Sequence, residues 1–264
     1  MSQLNLWVNS QIGLQLDLKY FQSYLKAISK TNLVNNLESI DKYKSELGFD
    51  FAVSSVYSSN IEGNPMDLNS YFNYDPKVKA SHEKQEIDEL VLSYVFAKEN
   101  PLNYKNLLKA HRILSQSFLE EFQQGYIRTN SVGVFGSLGL VYLALESEKV
   151  EEELKSLIKE TKLLIKSNLS LPEIFYYASF LHLRLAHIHP FADGNGRTAR
   201  LVEKWFLASK LGETGWKIRS EQYYKENQKE YYTNINLGSN FYELDYTNSI
   251  PFLTMLTNST AFLG

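Results

Sequence analysis

Chemistry concentrates in one short stretch, His189-Pro190-Phe191-Ala192-Asp193-Gly194-Asn195-Gly196-Arg197-Thr198-Ala199-Arg200. Upstream, Ile174, Ala178, Leu181 and Leu185 form a helical apolar stripe. Pro190 disfavours helical geometry at the preceding residue, so that helix should break close to His189. A second helix is expected from about Gly196 to a stop at Gly212. Its first amides lack intrahelical partners and sit at the positive end of the dipole, which makes them an anion site. Gly194 and Gly196 carry no side chain and accept positive φ, so a phosphate can approach the backbone. Arg197 and Arg200, at i and i+3, could clamp a polyphosphate. Asp193 is a hard oxygen ligand suited to Mg2+ bridging two phosphates. His189 has the intrinsic pKa of a base for a hydroxyl proton. These are the parts needed for attack of a hydroxyl on a nucleotide phosphate. A plain Gly/Asn turn between core helices would account for a lone Gly-x-Gly, but not for the whole string.

The elements that must hold this loop are mostly helices. Leu33, Leu37, Ile40, Tyr43 and Leu47 fall at helical spacing, with Gly48 at a capping position. Ile87 to Tyr94, Asn103 to Phe118 and Val150 to Ile165 mark three more helices. Ser170-Leu171-Pro172-Glu173 is a capping-box start for the helix that ends at His189. Later helices are expected from about Glu221 to Asn236 and from about Asn248 to Leu263. Ser131 to Leu143, rich in β-branched and aromatic residues with interspersed Gly, predicts a β-hairpin.

Composition narrows the function further. The chain has 264 residues, 44% hydrophobic and 22% charged, enough for a sizeable core. Lys plus Arg number 27 against 30 Asp plus Glu, so the net charge of −3 gives no field for nucleic acid or an anionic membrane. With no cysteine, disulfides, zinc–thiolate sites and thiol nucleophiles are excluded. Met1 to Leu16 shows no basic-then-apolar leader, and no apolar run is long enough for a membrane helix. The expectation is a cytoplasmic protein.

The loop resembles the signature of the Fic family, His-x-Phe-x-(Asp/Glu)-Gly-Asn-Gly-Arg-x-x-Arg, at every fixed position. The resemblance implies an all-α Fic-fold core with one β-hairpin flap, and transfer of AMP from ATP to a protein hydroxyl. It also implies His189 as base, Asp193 as Mg2+ ligand, and Gly194, Asn195 and Gly196 as anion hole. Arg197 and Arg200 would hold the β- and γ-phosphates. Hairpin 131–143 looks like the flap that aligns the target segment by strand-like pairing, and its approach, Gly125-Tyr126-Ile127-Arg128, is also family-like. Doc-type relatives, which phosphorylate, carry Lys where this chain has Gly196, and that position argues for AMP transfer. Tyr232 and Asn240 look like the family's adenine contacts, although Tyr232 could equally be one more core aromatic among 18 tyrosines.

Ser58-Ser59-Asn60-Ile61-Glu62-Gly63 resembles the family's inhibitory motif, (Ser/Thr)-x-x-x-Glu-(Gly/Asn), on an N-terminal helix. By that resemblance Glu62 would pair with Arg200 and occupy the volume the γ-phosphate needs. The chain would then comprise an N-terminal helical region, 1–100, with the inhibitory motif at 58–63, and a Fic core, 101–264, within one compact unit. Two rivals stay open: a chiefly de-AMPylating phosphodiesterase that uses Glu62, and a catalytically silent nucleotide-binding module. Self-modification is an alternative to a separate protein substrate. His187 and His189, at i and i+2, point to opposite sides of a helix and do not form a metal pair. His111 and His182 fall on buried stripes and are expected as hydrogen-bonded core residues.

Overall fold

The computed structural model describes residues 18–43, 45–136 and 139–261. The Met1 to Leu16 stretch, two residues of the expected hairpin turn (137 and 138) and the last three residues lie outside that set. The N-terminal part runs through α1 (Leu18–Ala27), α2 (Leu33–Lys42), α3 (Leu47–Ile61), α4 (Leu68–Phe72), α5 (His82–Glu99) and α6 (Tyr104–Leu114). A hairpin of β1 (Gly133–Gly136) and β2 (Gly139–Leu143) follows. The remainder is α7 (Ser147–Lys166), α8 (Leu171–Ile188), α9 (Asn195–Leu211), α10 (Glu213–Lys217), α11 (Ser220–Glu226), α12 (Gln228–Ile235) and α13 (Ile250–Ser259). The fold is therefore helical with a single hairpin among the described residues, as expected.

Helices α8 and α9 form the centre. Both are buried nearly all round, which a helix tolerates only when neighbours cover every face. The Ser170 backbone N–H donates to Glu173 Oε2 at 2.7 Å, closing the expected capping box at the start of α8. Around the pair, α3, α5, α7 and α13 contribute to one hydrophobic cluster that runs from Phe21 to Leu256. Helix α3, which leads into Glu62, packs on α5 and α11, so it is part of this core.

The hairpin is antiparallel, pairing Val134 with Tyr142 and Phe135 with Leu140, with a bulge between Val134 and Phe135. Such an extra residue bends the ribbon and leaves Phe135 exposed at its tip. Two bonds anchor the ribbon: Leu143 N–H to Ser239 O at 2.9 Å, and the Tyr142 hydroxyl to His187 O at 2.7 Å.

Several boundaries differ from expectation. Gly48 does not cap a helix but sits in the first turn of α3, because the chain leaves helical geometry at Tyr43 and restarts after Glu46. The helix from Asn103 stops at Leu114, and turns carry the chain to Phe118. The segment from Glu221 to Asn236 is two helices broken at Asn227, whose ψ of 39° is not helical. The last helix begins at Ile250 and ends at Ser259, within the wider expected span.

Candidate active site

The loop between α8 and α9 is held rigidly from within. His189 closes α8 at φ 51°, the one non-glycine residue with positive φ among those described. For an L-residue that conformation costs roughly 1–2 kcal/mol, so neighbouring contacts must offset it. The Asn195 carboxamide brackets the turn: its Oδ1 accepts from Phe191 N–H and its Nδ2 donates to Phe191 O, both at 2.9 Å. The Asn195 side chain is thus spent on the loop, and only its backbone amide is left for an anion. Gly194, at φ 77°, caps α9, where a Cβ would crowd Leu114, Phe118 and His111. The first bond of α9 is donated by Thr198 to Gly194 O, so the amides of Asn195, Gly196 and Arg197 precede the helical ladder.

Gly196 differs from expectation. It lies within the first turn of α9 and needs no positive φ. What glycine supplies there is room for the Glu62 carboxylate as it sits: a Cβ would collide with Glu62 Oε1, a flexible end that would have to shift, and stand 3.2 Å from Arg200 Nη1.

Arg200 is fully buried and every nitrogen has a partner. Nε donates to Ser58 Oγ at 2.8 Å and Nη2 to Ser58 O at 3.0 Å. Nη2 also donates to Glu62 Oε1 at 2.6 Å, and Nη1 to the Tyr231 hydroxyl at 3.1 Å. Arg197 points elsewhere, with Nη1 3.5 Å from Glu86 Oε2 and its guanidinium over the Phe118 ring, while its buried Nε has no partner. The two arginines therefore do not converge as a clamp in this state.

The end of α3 that carries Glu62 is itself tied down. Lys225 Nζ donates to Asn60 O at 2.8 Å, and Gln228 Nε2 and the Tyr232 hydroxyl donate to Ile61 O at 2.9 and 2.8 Å. Asn60 O also accepts from Gly63 N–H at 3.2 Å, and both carbonyls lie at the helix C-terminus, where a cation suits the dipole.

Burial pushes the Glu62 carboxyl up, but the charge and hydrogen bond of Arg200, with Arg197 behind them, outweigh it and hold it below the usual carboxylate range. Burial would likewise lower Arg200, and Tyr231 and Glu62 raise it instead. His189 is lowered from the ordinary histidine value, first by burial and also by Arg128, with Ala186 O, Glu62 and Asp193 opposing. Its ring is therefore neutral at neutral pH. Its Nδ1 lies 3.2 Å from Ala186 O and can only donate there, which leaves the lone pair on Nε2.

Asp193 is exposed beside this loop, and its Oδ1 accepts from Gly194 N–H at 2.5 Å. No cluster of three or more His, Cys, Asp or Glu suited to a metal occurs among the described residues. A single carboxylate fits Mg2+, which takes one or two protein oxygens together with substrate phosphates.

His189, Gly196 and Glu62 line a cavity of about 600 Å³, together with Val134, Phe135 and Val141 of the hairpin and Tyr232 and Asn236 of the α12 end. That volume suits a nucleotide-sized ligand. Tyr232 is half-exposed there. Asn240 is not among the lining residues: its Oδ1 accepts from the N–H groups of Tyr242 and Glu243 and caps a short 3-10 turn. The asparagine at the cavity is Asn236, one helical turn beyond Tyr232, a spacing the sequence already displays.

His111 was expected as core, and it is buried and bonded, but it also supports the loop. Its Nε2 meets Asp193 O at 2.9 Å, its ring stacks on Phe191 at 3.6 Å, and burial pushes it down to about 4. His187 packs between Ile235 O and the Tyr246 hydroxyl, and His182 between Glu203 and Tyr231.

Residues 101–207, which include the whole loop, match the model of the Fic/DOC family. They form a Fic/DOC-family domain. The chain is 30% identical to Protein adenylyltransferase Fic of Drosophila erecta over 195 residues, 69% of this chain and 36% of that protein. It is 31% identical to the protein of the same name in Drosophila melanogaster over 163 residues, 57% and 31% respectively. The chain thus spans about a third of the length of these curated relatives. A Fic family protein from Desulfovibrio desulfuricans G20 superposes with a TM-score of 0.71 at 22% identity, over 87% of this chain and 72% of that one. A Fic domain containing signaling protein from Bacteroides thetaiotaomicron gives 0.63 at 20% identity, over 92% and 94%. The architecture is the Fic fold.

Proposed function

We propose that this chain is a protein adenylyltransferase that moves AMP from ATP to a Ser, Thr or Tyr hydroxyl of a protein, with Glu62 holding it in check. One observation carries the reading: His189 and Gly196, in the first turn of α9, line the same cavity as Glu62, the carboxylate that engages Arg200. The names of the relatives at about 30% identity support the reaction class.

In this reading the amides of Asn195, Gly196 and Arg197 accept the phosphate charge. His189 Nε2 takes the proton as the acceptor hydroxyl oxygen forms a bond to the α-phosphorus. The bond from that phosphorus to the bridging oxygen breaks, and pyrophosphate leaves with the electron pair. Positioning and charge neutralisation supply most of the rate in such transfers. Asp193 would hold Mg2+, which when bound neutralises phosphate charge. Arg200 would take the γ-phosphate once Glu62 withdraws, and Arg197 the β-phosphate after turning from Glu86. Tyr232, and Asn236 in place of Asn240, would flank the adenine. The hairpin 131–143 would align the acceptor segment along β1 or β2.

The division into an inhibitory N-terminal region, 1–100, and a Fic core, 101–264, belongs to the same proposal, as does a cytoplasmic setting. No helix of the described residues is long and apolar enough to cross a membrane. A second reading, removal of AMP from a modified protein, is favoured by the ionised Glu62 carboxylate on the wall of the His189 cavity, where it could orient a water.

The deciding experiment incubates Glu62→Gly with Mg-ATP labelled at the α- or the γ-phosphate, together with a cell lysate. Label on protein from the α position alone supports AMP transfer. Label from the γ position alone would replace it with phosphorylation. Loss of AMP-removing activity in Glu62→Gly, measured on an AMPylated target, would favour the second reading.

A further inference from the structure

Arg128 has no part in the reading above, yet the hairpin and the base-bearing turn meet at its side chain. The residue is buried, and its guanidinium bonds only backbone carbonyls among the described residues. Nε donates to His189 O at 2.7 Å, Nη1 to Asn130 O at 2.7 Å, and Nη2 to Leu145 O at 2.5 Å and, more distantly, Ile188 O at 3.4 Å. Its own N–H donates to Pro190 O at 3.0 Å. Asn130 precedes β1 and Leu145 follows β2, so one planar fork grips both ends of the hairpin together with the turn at His189.

This arrangement is costly to maintain. A buried cation without a bonded carboxylate loses hydration that carbonyl contacts only partly restore. An aliphatic side chain of similar length would avoid that loss but take the Arg128 donors from the carbonyls of His189, Asn130 and Leu145. What the fork supplies is direction: its donors are fixed in one plane, so the carbonyls they hold are fixed relative to one another. His189 needs this most, since in the left-handed conformation its carbonyl turns away from the α8 ladder.

We propose that Arg128 is a positioning residue for AMP transfer, locking the left-handed turn that aims His189 and fixing the hairpin ends against it. The strand on which an acceptor segment aligns and the base that takes its proton are thereby held at one separation. The inference rests on the transferase reading above and adds to it a duty for Arg128.

The test places Arg128→Gln and Arg128→Lys in the Glu62→Gly protein. The glutamine variant is expected to lower kcat about tenfold or more while KM for ATP stays within about twofold, as misplacement of a reacting group does. The lysine variant, with charge but no fork, recovers only part of that loss and covers the case in which glutamine impairs folding. A crystal structure of either folded variant should show His189 displaced from positive φ and the hairpin ends moved apart. His189 unmoved in that structure, or kcat and ATP binding falling together, would overturn the proposal. If the Glu62→Gly parent itself transfers no AMP, the transferase reading fails, and the His189 backbone in the variant structure still decides the positioning claim.

Discussion

The Arg200 guanidinium meets the Glu62 carboxylate at 2.6 Å, and its remaining nitrogens are filled by Ser58 and Tyr231. Four of the five N–H donors of this fully buried arginine are thus taken, which leaves a single Nη1 N–H for a phosphate. Glu62 alone among these partners can leave without opening the core, because its side chain is 31% exposed while Ser58 and Tyr231 are buried. Under the proposed inhibition, that asymmetry makes the carboxylate the movable part of the latch.

Loosening the seat of α3 should therefore activate the protein without touching Glu62. Lys225→Ala with Gln228→Ala strips donors from Asn60 O and Ile61 O, each hydrogen bond contributing about 0.5–1.5 kcal/mol. Transfer by the double variant is expected to rise several-fold and to stay below that of Glu62→Gly. Transfer no higher than wild type would mean that the Glu62–Arg200 pair holds the helix end unaided.

Mild acid should not open the latch. A carboxyl whose folded pKa is depressed stabilises the closed form at neutral pH, and that contribution is lost only as pH falls through the depressed value. Wild-type transfer relative to Glu62→Gly should therefore not rise between about pH 8 and 5. A rise in that ratio toward pH 5 would contradict the assigned ion pair.

The proposed base, His189, gives a separate pH signature. His189 sits below the ordinary value of 6.5, and removing Glu62 takes away one of the groups that raise it. In Glu62→Gly the profile of kcat/KM, which reports the free enzyme, should be level through neutrality and fall only below the usual histidine range. An acid limb centred at or above 6.5 would point to another group.

Asn195→Ala should cost both stability and rate. The substitution leaves Phe191 N–H and O unpaired in a buried turn, a loss of about 1–3 kcal/mol. Thermal unfolding is expected at lower temperature, and transfer in the Glu62→Gly background is expected to drop. Unchanged melting would show that the bracket is dispensable.

The loop from His189 to Arg200 was legible because its parts are consecutive: a proline break, two glycines and a helix start dictate the turn locally. The hairpin and the α8 capping box were legible for the same reason. What escaped depends on residues distant in the chain. His111 and Arg128 support the loop through backbone carbonyls of Asp193 and His189, contacts that leave no pattern of spacing. Gly48 looked like a stop because the helical stripe continues across Tyr43, where the backbone actually turns extended. Asn240 was displaced from the cavity because the break at Asn227 and the turn after Ile235 carry it to a cap, while Asn236 keeps the face of Tyr232.

The most direct measurement is incorporation of α-phosphate label from Mg-ATP into protein by three forms of the chain. Wild type is expected to label weakly, Glu62→Gly about ten- to a hundredfold more, in line with the 1.5–3 kcal/mol of a hydrogen bond to a charged group, and Glu62→Gly with His189→Ala not at all. Labelling that survives loss of His189, or that gains nothing from loss of Glu62, would contradict the account.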